Sequence, residues 1–186
     1  MKKKLNIYFN APITLGFVAI CCLAYGLSYL TKDMSTVMVF STYASSLLSP
    51  MTYIRLICHV FGHNSFNHLA NNMMYILLLG PMLEEKYKDR LITVILTTAI
   101  VTGIIHNILQ PNTMLLGASG VVFAFILLAS ITGKENGIPI TLILALIIWI
   151  GQELYNGFST SDNISQITHI IGGLSGTALG LIFKKK

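Results

Sequence analysis

The sequence predicts an all-α polytopic membrane protein with six transmembrane helices, a short fourth helix and a long membrane-associated first loop. Three observations carry this. The 186 residues are 54% hydrophobic and only 10% charged, against about 25% charged in ordinary soluble domains. A soluble fold so poor in charge would expose large apolar patches. Six apolar segments run roughly over 11–30, 66–83, 90–109, 119–132, 138–155 and 167–183. Finally, ten of the twelve Lys and Arg residues fall on segments that six crossings leave on one side. The length fits a single domain, 1–186.

The first segment follows Lys2-Lys3-Lys4 and resembles a signal peptide in that respect. Its apolar run is long and no small-residue cleavage site ends it, so a retained helix is expected. The connection over 31–65 is long enough to be functional or to hide a short element. Its stretch Tyr53 to Phe61 is moderately apolar and suits the membrane interface. The second segment opens with polar Asn67, His68, Asn71 and Asn72. The third and fifth are full-length spans, and the fourth is too short to cross unaided. The sixth carries Gly172, Gly176 and Gly180, a four-residue stripe that lets another helix approach closely. No internal repeat or low-complexity stretch is present.

With the N-terminus inside, the inner segments hold Lys2, Lys3, Lys4, Lys86, Lys88, Arg90, Lys134, Lys184, Lys185 and Lys186. Only Lys32 and Arg55 fall outside. This is the positive-inside pattern, which places the chain in the cell membrane with both termini cytoplasmic. The net charge of +5 is therefore read as a topology signal, and no nucleic-acid partner is expected. Cys21 and Cys22 are read as small core residues, because adjacent cysteines are poorly placed to bridge.

Ser119 and His169 are polar residues in strongly apolar surroundings. A polar or ionisable group within a membrane segment is costly and marks a functional site by default. At about 1.5 Å rise per residue, Ser119 lies about 21 Å above the inner end of its segment and His169 about 22 Å. His68 and Asn72 lie about 24 and about 18 Å above theirs. The four residues share a level in a hydrocarbon core about 30 Å thick. The connection 107–118 must dip into the membrane to reach Ser119, which requires surrounding protein or a water-filled cavity open to the outside face.

A serine beside a histidine suggests a nucleophile and its general base. Ser119 sits at a predicted helix start, flanked by Gly117, which permits a tight turn, and Gly120. Free N–H groups at that helix end suit an oxyanion. Taken alone, Ser119 reads as a simple N-cap and His169 as a packing histidine. His68 and Asn72, four apart, share a helix face and both can donate hydrogen bonds. His59, His63 and His68 suggest zinc as a rival, but HExxH is absent and a fourth ligand would have to be water or Cys58. The expectation is no metal and no cofactor. His106 is read as a loop-facing or packing histidine. No carboxylate is placed as a third triad member, so a Ser–His dyad is expected.

These residues resemble those of the rhomboid intramembrane serine proteases, in the basic six-helix bacterial form. The GxSG motif is matched by Gly117-Ala118-Ser119-Gly120, and the catalytic histidine by His169 with Gly172 and Gly176 behind it. The HxxxN motif is matched by His68 and Asn72. Upstream histidines match His59 and His63, the loop arginine matches Arg55, and the acidic residue at the inner end of the second helix matches Glu84. Two positions depart from the pattern: Ile54 stands where Trp is frequent, and Phe123 where Tyr often supports the histidine. The resemblance implies cleavage of transmembrane protein substrates near the outer face by acylation of Ser119. His169 would be the base, with His68, Asn72 and the Ser119 N–H holding the oxyanion. It implies substrate access near the second and fifth helices, with Trp149 a candidate gate. The bilayer is the other partner, and oligomeric state is not specified. The alternatives are a non-catalytic rhomboid-like protein that binds transmembrane helices, or a small transporter using the polar cluster as a solute site.

Overall fold

Along the helix Arg90–Leu109, one row of apolar side chains points outward, while polar side chains lie inward among the buried apolar ones. Ile92, Leu96, Ile100, Ile104 and Ile108 are exposed at four-residue spacing, while Thr98, Thr102 and His106 are buried. A helix on a soluble core shows the reverse. Lipid around the molecule accounts for the pattern, because polar groups must then be satisfied inside. Thr102 does so locally, donating from Oγ1 to the Thr98 carbonyl at 2.7 Å.

The computed structural model describes residues 8–131, 140–159 and 163–184, without side chains at 149, 150, 152–159, 163–169 and 184. The described helices are α1 Pro12–Leu30, α2 Met34–Met38, α3 Pro50–Cys58, α4 Phe66–Tyr87, α5 Arg90–Leu109, α6 Ser119–Ser130, α7 Ile140–Ser159 and α8 Asn163–Lys184. A 3-10 turn, His59–Phe61, follows α3. Among the described residues the β-structure is one isolated bridge, Thr42 with Leu115. Proline opens α1 and α3, where its missing N–H costs nothing.

The short α6 is the centre. Gly120 through Phe125, Leu127 and Leu128 are all buried, as befits a helix apolar on every face. It packs against α4, α5, α7 and α8. Its closest partner is α8, through the glycine stripe. A methyl group at Gly172 would lie 3.6 Å from the Cα of Gly120 and collide with Thr102. One at Gly176 would strike Ala124, and one at Gly180 would strike Leu128. The partners advance together, so α6 and α8 run parallel.

Among the described residues, two helices, α1 and α5, are long and apolar enough to span a membrane. Ser119–Ser130 and Ile170–Phe183 are shorter apolar stretches. Three expectations are corrected. The second segment does not stop at 83 but continues as helix to Tyr87. The sixth begins at Asn163, four residues early. Cys22 is exposed, and only Cys21 is a core residue.

The extension of α4 has a cause. Glu84 is buried and turns inward to the start of α1, accepting from the N–H groups of Ile13 and Thr14 and from the Thr14 hydroxyl, each at 2.8 Å. A carboxylate at a helix N-terminus satisfies orphan donors and the positive dipole end. Glu84→Ala leaves these donors unmet, and unfolding in mild detergent should show a loss of roughly 1–3 kcal/mol. A variant as stable as wild type would mean that water replaces the carboxylate.

Candidate active site

The loop from 110 to 118 carries the start of α6, and its backbone is tied down on three sides. Thr42 and Leu115 exchange N–H···O bonds at 2.9 Å in both directions. The Gly117 N–H donates to the His59 carbonyl at 2.9 Å. The His106 ring Nε2 lies 3.2 Å from the Thr113 carbonyl, so this buried histidine packs the loop onto the end of α5. Irregular backbone at this depth requires such partners.

His59 links three elements. Its ring Nε2–H donates to the Ala99 carbonyl of α5 at 3.0 Å, while its own carbonyl holds Gly117. Arg55, also buried, donates to the Tyr43 hydroxyl at 3.0 Å and to Ser45 Oγ at 2.8 Å, and its guanidinium lies over the Tyr43 ring. It braces the loop before α3. These long-range bonds were not legible in the sequence, since their partners lie 10 to 58 residues away.

Gly117 has φ +123, in the region that favours glycine. A Cβ there would lie 2.8 Å from Cε1 and Nε2 of His68 and 3.8 Å from Ser119 Oγ. The His68 ring and the Ser119 hydroxyl therefore flank one small volume above the turn. This contact sets their common level directly. The depth count for His68 used an inner end three residues too short.

His68 is placed by the start of α4. Ser65 caps that helix, its hydroxyl accepting from the His68 N–H at 3.2 Å. The His68 Nδ1–H donates to Asn64 Oδ1 at 3.0 Å. With that proton on Nδ1, a neutral His68 faces Gly117 with an acceptor Nε2. Donation from Nε2 requires the imidazolium, or the Asn64 amide reversed. Asn64 was not singled out from the sequence; its position four residues before His68 is the one available signal.

Asn72 is buried, and one of its amide protons is committed. His63 Nδ1–H donates to the Phe61 carbonyl at 3.1 Å, which leaves Nε2 to accept from Asn72 Nδ2 at 3.1 Å. Burial, with the nearby His68 ring a smaller cause, pushes the His63 pKa down to about 4. It is neutral at physiological pH and orients the Asn72 amide. The folded form binds the proton more weakly than the unfolded chain, so its contribution is complete above pH about 6.5 and is lost on acidification towards 4. His63→Gln, which cannot titrate, should flatten the fall in unfolding midpoint between those values. An unchanged slope would place the titration elsewhere.

Phe123 is fully buried, and its ring occupies the space where Gly173 of α8 lacks a side chain. Gly172 of α8 meets Gly120, the residue after Ser119. Carried one turn back along α8, that register brings the backbone of His169 to the height of Gly117. The side chains of His169 and Trp149 lie outside the described residues. His59, His63 and His68 do not converge on a point: the first binds α5, the second Asn72, the third Asn64. Among the described residues no three His, Cys, Asp or Glu side chains gather to hold a metal ion.

The family model described as Rhomboid domain matches residues 50–186, which contain His68, Asn72, Gly117, Ser119 and His169. The chain is 29% identical over 139 residues to Rhomboid-related protein 1 of Caenorhabditis elegans, covering 69% of this chain and 39% of that protein. It is 25% identical over 177 residues to Rhomboid protease GlpG of Serratia proteamaculans, covering 92% and 61%. Rhomboid-related protein 2 of Mus musculus is 28% identical over 156 residues, covering 72% and 52%. The chain thus spans 39% to 61% of the length of these relatives.

Proposed function

We propose that this chain, which belongs to the rhomboid family, is a single-domain intramembrane serine endopeptidase acting over 1–186 by a Ser119–His169 dyad. The observation that carries the reading is the backbone register of α8 on α6. Gly172 against Gly120 supports this reading, because one helical turn back along α8 the His169 backbone reaches the height of Gly117, in the turn that carries Ser119.

In this mechanism Ser119 Oγ attacks the scissile carbonyl and His169 takes its proton. The oxyanion forms at the start of α6, where the first N–H groups have no partner within the helix. His68 faces the same volume, and Asn72 keeps one amide proton to offer after His63 takes the other. His169 then protonates the leaving amine, and water hydrolyses the acyl-enzyme. Phe123 supplies a flat wall at this height but no hydroxyl. No cofactor enters.

The substrate is a transmembrane segment of another protein, cut near the outer face. The six helices α1, α4, α5, α6, α7 and α8 are read as the crossings, with both termini cytoplasmic. The parallel run of α6 and α8 supports this, as does the contact of the α1 start with the α4 end, because alternate crossings require both. A reporter fused after Lys186 should read as cytoplasmic; an external signal removes the orientation. The reaction is tested with the full chain in vesicles and a tagged single-span substrate. The expected products map to one cut near the outer end of the span. An intact substrate under conditions where the protein is folded favours the non-catalytic, helix-binding reading.

A further inference from the structure

At the opposite end of the bundle from Ser119, the end of α4, the start of α5 and the end of α8 enclose a second cavity, of about 460 Å³. It is lined by Lys86, Tyr87, Lys88, Asp89, Arg90 and Phe183. Its volume falls in the range of ligand clefts, about 300–1,000 Å³. Its lining holds three cations and one carboxylate. We propose that this cavity binds the phosphate-bearing headgroup of an anionic phospholipid.

Basic residues at this end have an ordinary explanation as a topology signal. Three observations go beyond it. The cations are positioned: the Arg90 guanidinium lies 5.4 Å over the Phe183 ring and the Lys86 ammonium 5.0 Å over the Tyr87 ring. Such contacts hold a cation without neutralising it, and a topology signal needs no fixed geometry. Second, Lys88 has φ 50 and ψ −135, a conformation that glycine adopts with far less strain. A long cationic side chain kept at a strained position points to use of that side chain. Third, the lining comes from both sides of the α4–α5 turn and from Phe183, nearly 100 residues later. A basic pocket between membrane helices is the recurring form of an anionic headgroup site. Phosphate oxygens accept from both guanidinium and ammonium groups.

The test uses the full chain in detergent, with native mass spectrometry to count retained lipid and thermal unfolding to read stabilisation. The probes are phosphatidylglycerol, phosphatidylcholine and inorganic phosphate. Wild type should retain phosphatidylglycerol in preference to phosphatidylcholine and be stabilised by it. Lys88→Gly combined with Arg90→Gln should weaken retention about 30-fold, since two basic groups near such a surface contribute about 1 kcal/mol each. Lys88→Gly alone relieves the backbone strain, so it should melt no lower than wild type in phosphatidylcholine while still losing affinity. That variant keeps the test open if the double variant does not fold. The matched pair Lys2→Gln and Lys134→Gln, with the same change in net charge, should retain lipid as wild type does. Three outcomes overturn the proposal: equal loss in the matched pair, equal stabilisation by inorganic phosphate, or no preference for phosphatidylglycerol. Retention is read without any substrate, so its failure is separate from failure of the peptidase reading.

Discussion

Ser119→Ala should lower cleavage of a transmembrane substrate on the order of 10⁴-fold or more, because removing the nucleophile removes the covalent route altogether. The fold should survive. Ser119 is half-buried and begins α6, while the rest of that helix is held by apolar packing from Gly120 to Leu128. Ala118, not Ser119, is the N-cap of that helix, so the change removes no capping side chain. Unfolding midpoints within a few degrees of wild type, together with lost cleavage, are the expected pair of results. Cleavage within tenfold of wild type would remove Ser119 from the chemistry.

Gly117→Ala should lower kcat on the order of 10²-fold, the effect expected when reacting groups shift by about 1 Å. Two independent constraints meet at this residue. Its φ of +123 is strained for any side chain, and a Cβ would press on the His68 ring at 2.8 Å. The turn or the ring must therefore move, and both border the volume where an oxyanion would form. The N–H of Gly117 remains bonded to His59, so the loop stays attached. A variant with wild-type kcat would show that neither the turn nor His68 shapes the transition state. Steady-state measurement over a range of substrate density in the bilayer separates kcat from KM here.

Hydrophobic periodicity and length were enough to locate α5 and the start of α6, because nothing in the tertiary structure competes with them. The end of α4 was missed for a physical reason. Charged residues from Glu84 onward suggest a loop, but Glu84 folds inward to cap α1, so the helix continues beneath it. Cys22 was misplaced because α1 is apolar on every side and only partly covered. Its pattern does not say which face meets the bundle. In the site, motif spacing pointed to Gly117, Ser119, His68 and Asn72. It did not reveal that His63 holds Asn72, that Asn64 holds His68, or that His59 holds the turn by its carbonyl. Those are bonds of backbone and ring nitrogen, decided by tertiary geometry alone.

The most direct test of the central claim is covalent labelling with a fluorophosphonate probe, followed by peptide mapping. Wild type should carry a single adduct on Ser119, and His169→Ala should lose it while remaining folded, since the hydroxyl is nucleophilic only with its base in place. Labelling of Ser119 that persists undiminished in His169→Ala, or an adduct on another residue, would contradict the dyad.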